Sequence, residues 1–140
     1  MIDRRGIDIG IKKSVEDGLR WAATHGLHSV DFRLDTSPGA FVAFTPARCE
    51  AMRTSAEADG MTIGLHTLSA VNIAEYSPDL AEAADHYLRA YIDIAKTLNA
   101  GWVDVHAGYH CTSDVEQRKV AGLERLKRAG SRACLRSGEL

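Results

Sequence analysis

A chain of 140 residues, 45% hydrophobic and 26% charged with a formal net charge of -2, has the make-up of one folded domain. Such a composition excludes a disordered or collagen-like chain, and no apolar run reaches the roughly 18 residues of a membrane span. Three cysteines (Cys49, Cys111 and Cys134) without a close CxxC pair argue against a disulfide scaffold or a cysteine zinc knuckle. The near-balanced charge gives no support for a large phosphate-binding footprint. The opening MIDRRGIDIG has no apolar signal segment, which points to the cytoplasm.

In chain order, the pattern predicts a first strand over residues 7–12 (IDIGIK) and a helix over 15–25. Ser14 caps that helix, Asp17 stands at its third position, and Gly26 stops it. A second strand follows over 30–35 (VDFRLD). The pair Thr45-Pro46, a cap with proline behind it, opens a second helix that runs to Gly60. The third strand is expected over 61–66 (MTIGLH), then a long connection over 67–77. A third helix spans 78–99, with Leu80, Ala84, Tyr87, Tyr91, Ala95 and Leu98 as its inward stripe and Gly101 after its end. The fourth strand is 102–106 (WVDVH), and Ser113 with Glu116 caps a last helix reaching about Ala129. Strands alternating with helices of this length mean βα units on a parallel sheet.

The strand faces narrow the fold. Ile7, Ile9 and Ile11 oppose Asp8, Gly10 and Lys12; Val30, Phe32 and Leu34 oppose Asp31, Arg33 and Asp35. Ile63 and Leu65 oppose Thr62, Gly64 and His66, while Val103 and Val105 oppose Trp102, Asp104 and His106. A doubly wound sheet, covered on both faces, reads apolar on both. One apolar and one polar face imply helices on one side and a barrel lumen on the other. A full (β/α)8 barrel takes about 250 residues. The expected fold class is therefore α/β, a partial (β/α)8 barrel with four N-terminal βα units and a parallel sheet.

On that polar face His66 and His106 end neighbouring strands, where barrel active sites are built. Imidazole suits divalent zinc, manganese or cobalt, but two nitrogens make an incomplete site. Both side chains can equally serve as hydrogen-bonded polar residues at strand ends. His110 reads as a contact at the same mouth or as a loop histidine. Asp35 reads as a contact for a hydroxylated substrate or as an ion-pair partner of Arg33 or Lys12. Asn72 and Glu75 sit in the long connection, which suits a substrate lid or a merely variable loop. Trp102 reads as filling on the polar face rather than as a sugar platform. No dinucleotide fingerprint, Walker loop, HExxH or GxSxG occurs.

The stretches SVEDGLRWAATHGLHSVDFRLD, IGLHTLSAVNIAE, YIDIAKTLNA and GWVDVHAGYH resemble the xylose isomerase-like TIM barrel superfamily, over about residues 7–129. That superfamily holds sugar isomerases and epimerases, hydroxypyruvate- and inosose-processing enzymes and endonuclease IV-type AP endonucleases. The resemblance implies a metal-assisted proton transfer on a keto or hydroxy sugar, with manganese, zinc, cobalt or magnesium as cofactor. It makes His66 and His106 zinc-ligand positions in the endonuclease branch and puts their region in the sugar pocket of the isomerase branches. The expected substrate contacts are thus His66 and His106, together with Asp35, Asn72 and His110 from their places in the pattern. It places the acid-base glutamates and most of the metal ligands in later strands, so no catalytic residue is assigned here. The tail at 130–140, GSRACLRSGEL, does not read as a fifth strand, and the expectation is one barrel domain over 1–140, cut short and inactive by itself. Lysine and arginine total 17 against 19 acids, which favours a sugar or sugar phosphate over nucleic acid as partner. The alternatives are an endonuclease IV-like fragment and a non-catalytic half-barrel that pairs with a second copy or a complementing C-terminal half.

Overall fold

The computed structural model describes residues 5–10, 13–35, 40–108 and 115–134. Strands β1 (Gly6–Asp8), β2 (Ser29–Phe32), β3 (Thr62–His66) and β4 (Trp102–Asp104) form one parallel sheet in the order 1-2-3-4, as the pattern predicts. Helices α1 (Val15–Thr24), α2 (Pro46–Ala58), α3 (Pro78–Leu98) and α4 (Val115–Cys134) alternate with the strands, and a short 3-10 turn (Phe41–Ala43) precedes α2. Packing divides the chain into two compact units, Met1–Thr67 with Asp93–Asp104 and Leu68–Ile92 with Val105–Leu140.

The first unit carries the sheet. Val30, Phe32, Leu34, Ile63 and Leu65 are buried on the apolar side, with Val15, Leu19, Ala22, Cys49, Met52 and Ala56 of α1 and α2. α1 packs against β2 and α2 against β3. Gly18 makes room for this: a Cβ there would lie 2.6 Å from Ile9 Cδ1. The caps follow the local chemistry. Asp17 N–H donates to Ser14 Oγ at 3.1 Å and Arg48 N–H to Thr45 Oγ1 at 3.3 Å. Gly26 and Gly60 take left-handed backbone, φ 68° and 63°, after α1 and α2.

Several boundaries differ from expectation. β1 ends at Asp8 because that carboxylate accepts the Gly10 N–H at 2.7 Å and Gly10 turns left-handed at φ 63°, taking the chain out of the ladder; Ile11 and Lys12 lie outside the described residues. α3 is stopped by Asn99, left-handed at φ 53°, with Ala100 N–H bonded back to Ala95 O at 2.9 Å. Gly101 serves instead as a close approach, since a Cβ there would meet Thr62 Cγ2 at 2.7 Å. β4 ends at Asp104, two residues before His106.

α1 and α2 are also tied by charge. Arg48 donates through Nε and Nη2 to the two Glu16 carboxylate oxygens at 2.6 and 3.0 Å, and through Nη1 to Ala43 O at 3.1 Å. The Arg48 hydrogen bond holds the Glu16 carboxyl below the usual carboxylate range, against the opposing pull of burial. Arg48→Ala is expected to cost about 1 kcal/mol, since the pair is partly exposed. Because the Glu16 pKa is depressed on folding, its contribution is whole at neutral pH and lost as pH falls through the folded value. Urea titrations of both proteins at pH 7 and pH 3 check this: the difference should shrink at the lower pH.

In the second unit Ile73, Ala74, Ala84, Leu88, Tyr91 and Ile92 are buried. Leu80, expected in the stripe, is 55% exposed. In the first turn of α3, Ala81 O accepts from Arg125 Nη2 at 3.3 Å. Tyr87 is half-buried, and its hydroxyl accepts the Leu68 N–H at 2.8 Å. α4 runs beyond the expected end at Ala129 to Cys134; a Cβ added at Gly130 would meet open space, so this glycine costs the helix only its propensity. Ser113, the expected cap, lies outside the described residues; Glu116 pairs with Lys119 at 3.1 Å.

Candidate functional site

Parallel register turns the strand alternation into rows. Asp8, Asp31, Gly64 and Trp102 are successive partners across the four strands, and His66 stands opposite Asp104 one row further toward the strand ends. Parallel partners share a face, so each strand sends one ionisable group to the polar side: Asp8, Asp31, His66 and Asp104. Trp102 lies over Gly64, where a Cβ would come within 2.1 to 2.4 Å of its indole; only the missing side chain lets the ring sit there. Trp102 remains 39% exposed.

The electrostatics centre on Asp31. Burial and the Asp8 carboxylate push its carboxyl above the usual range, the His66 imidazole pulls it down, and the Asp104 carboxylate adds to the rise. A carboxyl held up in this way binds a proton more readily than an exposed aspartate. Asp104→Asn is expected to lower the Asp31 pKa and His66→Ala to raise it, read by carbon-detected NMR titration. Equal values in both variants would mean that the charges do not communicate. Because the Asp31 pKa is raised on folding, its ionised form works against folding, and protonation relieves this as pH falls through the raised value.

Of the residues expected at the site, His66 and Asp35 belong to the first unit, both half-buried and both engaged in interactions. Asn72 and His106 belong to the second, His106 exposed and likewise engaged. His110 lies outside the described residues, as does Cys111. Among the described residues no three His, Cys, Asp or Glu side chains are gathered as a metal site.

Asn72 shapes its own loop. Its Oδ1 accepts the Ala74 N–H at 3.1 Å and its Nδ2 donates to Glu75 Oε1 at 2.9 Å, while Arg118 of α4 donates to the same oxygen at 2.7 Å. Gly108 presses against this turn with φ 88°, and a Cβ on it would lie 2.7 Å from both Asn72 Oδ1 and Ala74 Cβ. Beside it a cavity of about 330 Å³ has Ala74, Gly108, Arg118, Lys119, Gly122 and Leu123 among its lining residues. Sequence reasoning passed over Arg118 and Arg125 of α4. Their spacing of seven, which puts both on one helix face, was the available signal.

Comparison with known proteins gives a consistent likeness. The family model described as xylose isomerase-like TIM barrel matches residues 19–135. A D-psicose 3-epimerase structure with D-tagatose from Clostridium cellulolyticum H10 superposes with TM-score 0.76 at 12% identity, over 93% of this chain and 48% of that one. A xylose isomerase domain protein from Planctomyces limnophilus gives 0.68 at 12% identity, over 92% and 49%. An L-ribulose 3-epimerase gives 0.66 at 16% identity, over 93% and 47%. The chain thus spans about half the length of these structures, and at such identities the likeness is one of fold. A search of curated protein sequences found no match. Among the described residues no helix is long and apolar enough to cross a membrane.

Proposed function

The chain belongs to the xylose isomerase-like TIM barrel family, and from that premise we propose that it forms the N-terminal, substrate-contacting part of a sugar or sugar phosphate isomerase or epimerase. The observation that carries this reading is the polar sheet face, where Asp8, Asp31, His66 and Asp104 come one from each strand. Carboxylates accept hydrogen bonds from vicinal hydroxyls, and an imidazole both donates and accepts, which suits a polyhydroxylated ligand. Asp35, His66, Asn72, His106 and His110 are the proposed contacts, with Asp31 added by its raised pKa. The epimerases among the similar structures support a ketose as the ligand class.

His66 and His106 are the residues of this stretch that would face a divalent metal, and such a metal would supply Lewis-acid polarisation of a sugar oxygen. The 140 residues are proposed to bind without turning over, as one barrel portion completed by a C-terminal half or a second copy. The charge balance, 17 basic against 19 acidic residues, disfavours the endonuclease alternative.

Calorimetric titration with D-fructose, D-psicose, D-tagatose and L-ribulose, in the presence of manganese, tests the reading. Binding of at least one ketose is expected, weakened about tenfold or more by His66→Ala or Asp31→Asn, since each removes a hydrogen bond to the ligand. Binding that ignores both variants would contradict the site, turnover of a ketose by these residues would contradict the proposed inactivity, and incision of abasic DNA would transfer the chain to the endonuclease branch.

A further inference from the structure

Arg125 is a charged side chain in the core of the second unit, 3% exposed, and its donors are almost fully used. Nε donates to Asp85 Oδ1 at 2.9 Å, Nη1 to the carbonyls of Ile73 and of Glu75 (3.1 Å to the latter), and Nη2 to Ala81 O at 3.3 Å. Two of these carbonyls lie in the irregular loop between β3 and α3, where no ladder or helix satisfies them; an unmade bond there leaves a buried acceptor without a partner. Asp85 is itself fixed. Burial pushes its carboxyl up, but hydrogen bonds from Arg128 and Arg125 outweigh that and hold it below the usual range. Seven residues earlier on the same face of α4, Arg118 grips Glu75, and Glu75 grips Asn72.

We infer that Arg125 is the positioning residue of the β3–α3 loop: through it α4 sets where Asn72 and Glu75 stand, so ligand affinity depends on a side chain that does not touch the ligand. The inference rests on the proposed ketose reading for its consequence and on the hydrogen bonds for its mechanism. A planar guanidinium reaches three carbonyls and a carboxylate at once; an ammonium on a single stem does not. Arg125→Lys therefore keeps the charge beside Asp85 and gives up most of the loop.

The test uses the full chain with Arg125→Lys, and with Arg118→Gln as a milder second variant. Amide hydrogen exchange reads the loop directly. Exchange at Val71, Ala74 and Glu75, whose N–H groups bond within the loop, is expected to quicken at least tenfold in Arg125→Lys. Exchange at Val30 and Ile63 in the sheet should not change. The dissociation constant for the ketose that binds best is expected to rise at least fivefold in both variants. Loop exchange at the original rate would overturn the inference whatever the ligand does. A loosened loop with unaltered ketose affinity would overturn it too, leaving Arg125 as a purely structural tie while the functional reading stands. A chain that binds no ketose would bring down the functional reading and the role of Arg125 with it, even with the loop loosened.

Discussion

Gly108→Ala is expected to destabilise the protein by about 3 kcal/mol. Two costs add. The residue sits at φ 88°, where an L side chain is strained by roughly 1–3 kcal/mol. The new Cβ also has nowhere to go: Ala74 Cβ and Asn72 Oδ1 stand 2.7 Å away and the Ala74 backbone nitrogen 2.8 Å away. Backbone does not yield cheaply, and overpacking of this kind costs about 1–3 kcal/mol. Gly26→Ala supplies the control, because Gly26 is left-handed at φ 68° with nothing within 4 Å and bears the strain alone. Urea denaturation of the two variants should separate them by at least 1 kcal/mol. Equal losses would mean that the turn around Asn72 is not packed as described.

Gly64→Ala carries the second large effect. Its Cβ would fall 2.1 Å from Trp102 Cε2 and 2.3 Å from Nε1, so the indole must leave its place on the polar face. The ring is 39% exposed and can swing outward, which sets the cost at about 1–3 kcal/mol rather than more. Trp102→Ala loses the packing of the ring, and the double variant should then be no worse than Trp102→Ala alone, because the added methyl enters space already vacated. A coupling energy of about 1 kcal/mol or more between the two sites is the expected outcome of the cycle. In a Trp21→Phe background, Trp102 emission should also shift to the red in Gly64→Ala. Additive losses with unshifted emission would refute the contact.

Strand order and the division into a polar and an apolar face were legible in the residues, because a period of two survives in a short strand. Val30, Phe32 and Leu34 against Asp31, Arg33 and Asp35 carry it plainly, and the burial follows it. Caps were legible for a similar reason: Ser14 and Thr45-Pro46 act within three or four residues of themselves. What depended on contacts distant in sequence was not. The raised Asp31 pKa needs charges from β1, β3 and β4 brought alongside β2 by register. The burial of Arg125 needs a loop some 50 residues earlier to present its carbonyls to α4, and nothing in the amphipathic pattern of that helix announces them. His66 was placed correctly at the end of its strand; the carboxylates around it emerged only from the sheet.

The central claim is that the polar face of this sheet receives a sugar. Nitrogen-15 chemical-shift mapping tests it most directly, with the chain titrated in parallel by D-psicose and by an oligonucleotide carrying an abasic site. Saturable shifts with the ketose are expected at Asp31, Gly64, His66 and Asp104, and none of comparable size with the DNA. Shifts confined to the helices, or a response on the polar face to the abasic DNA alone, would contradict it.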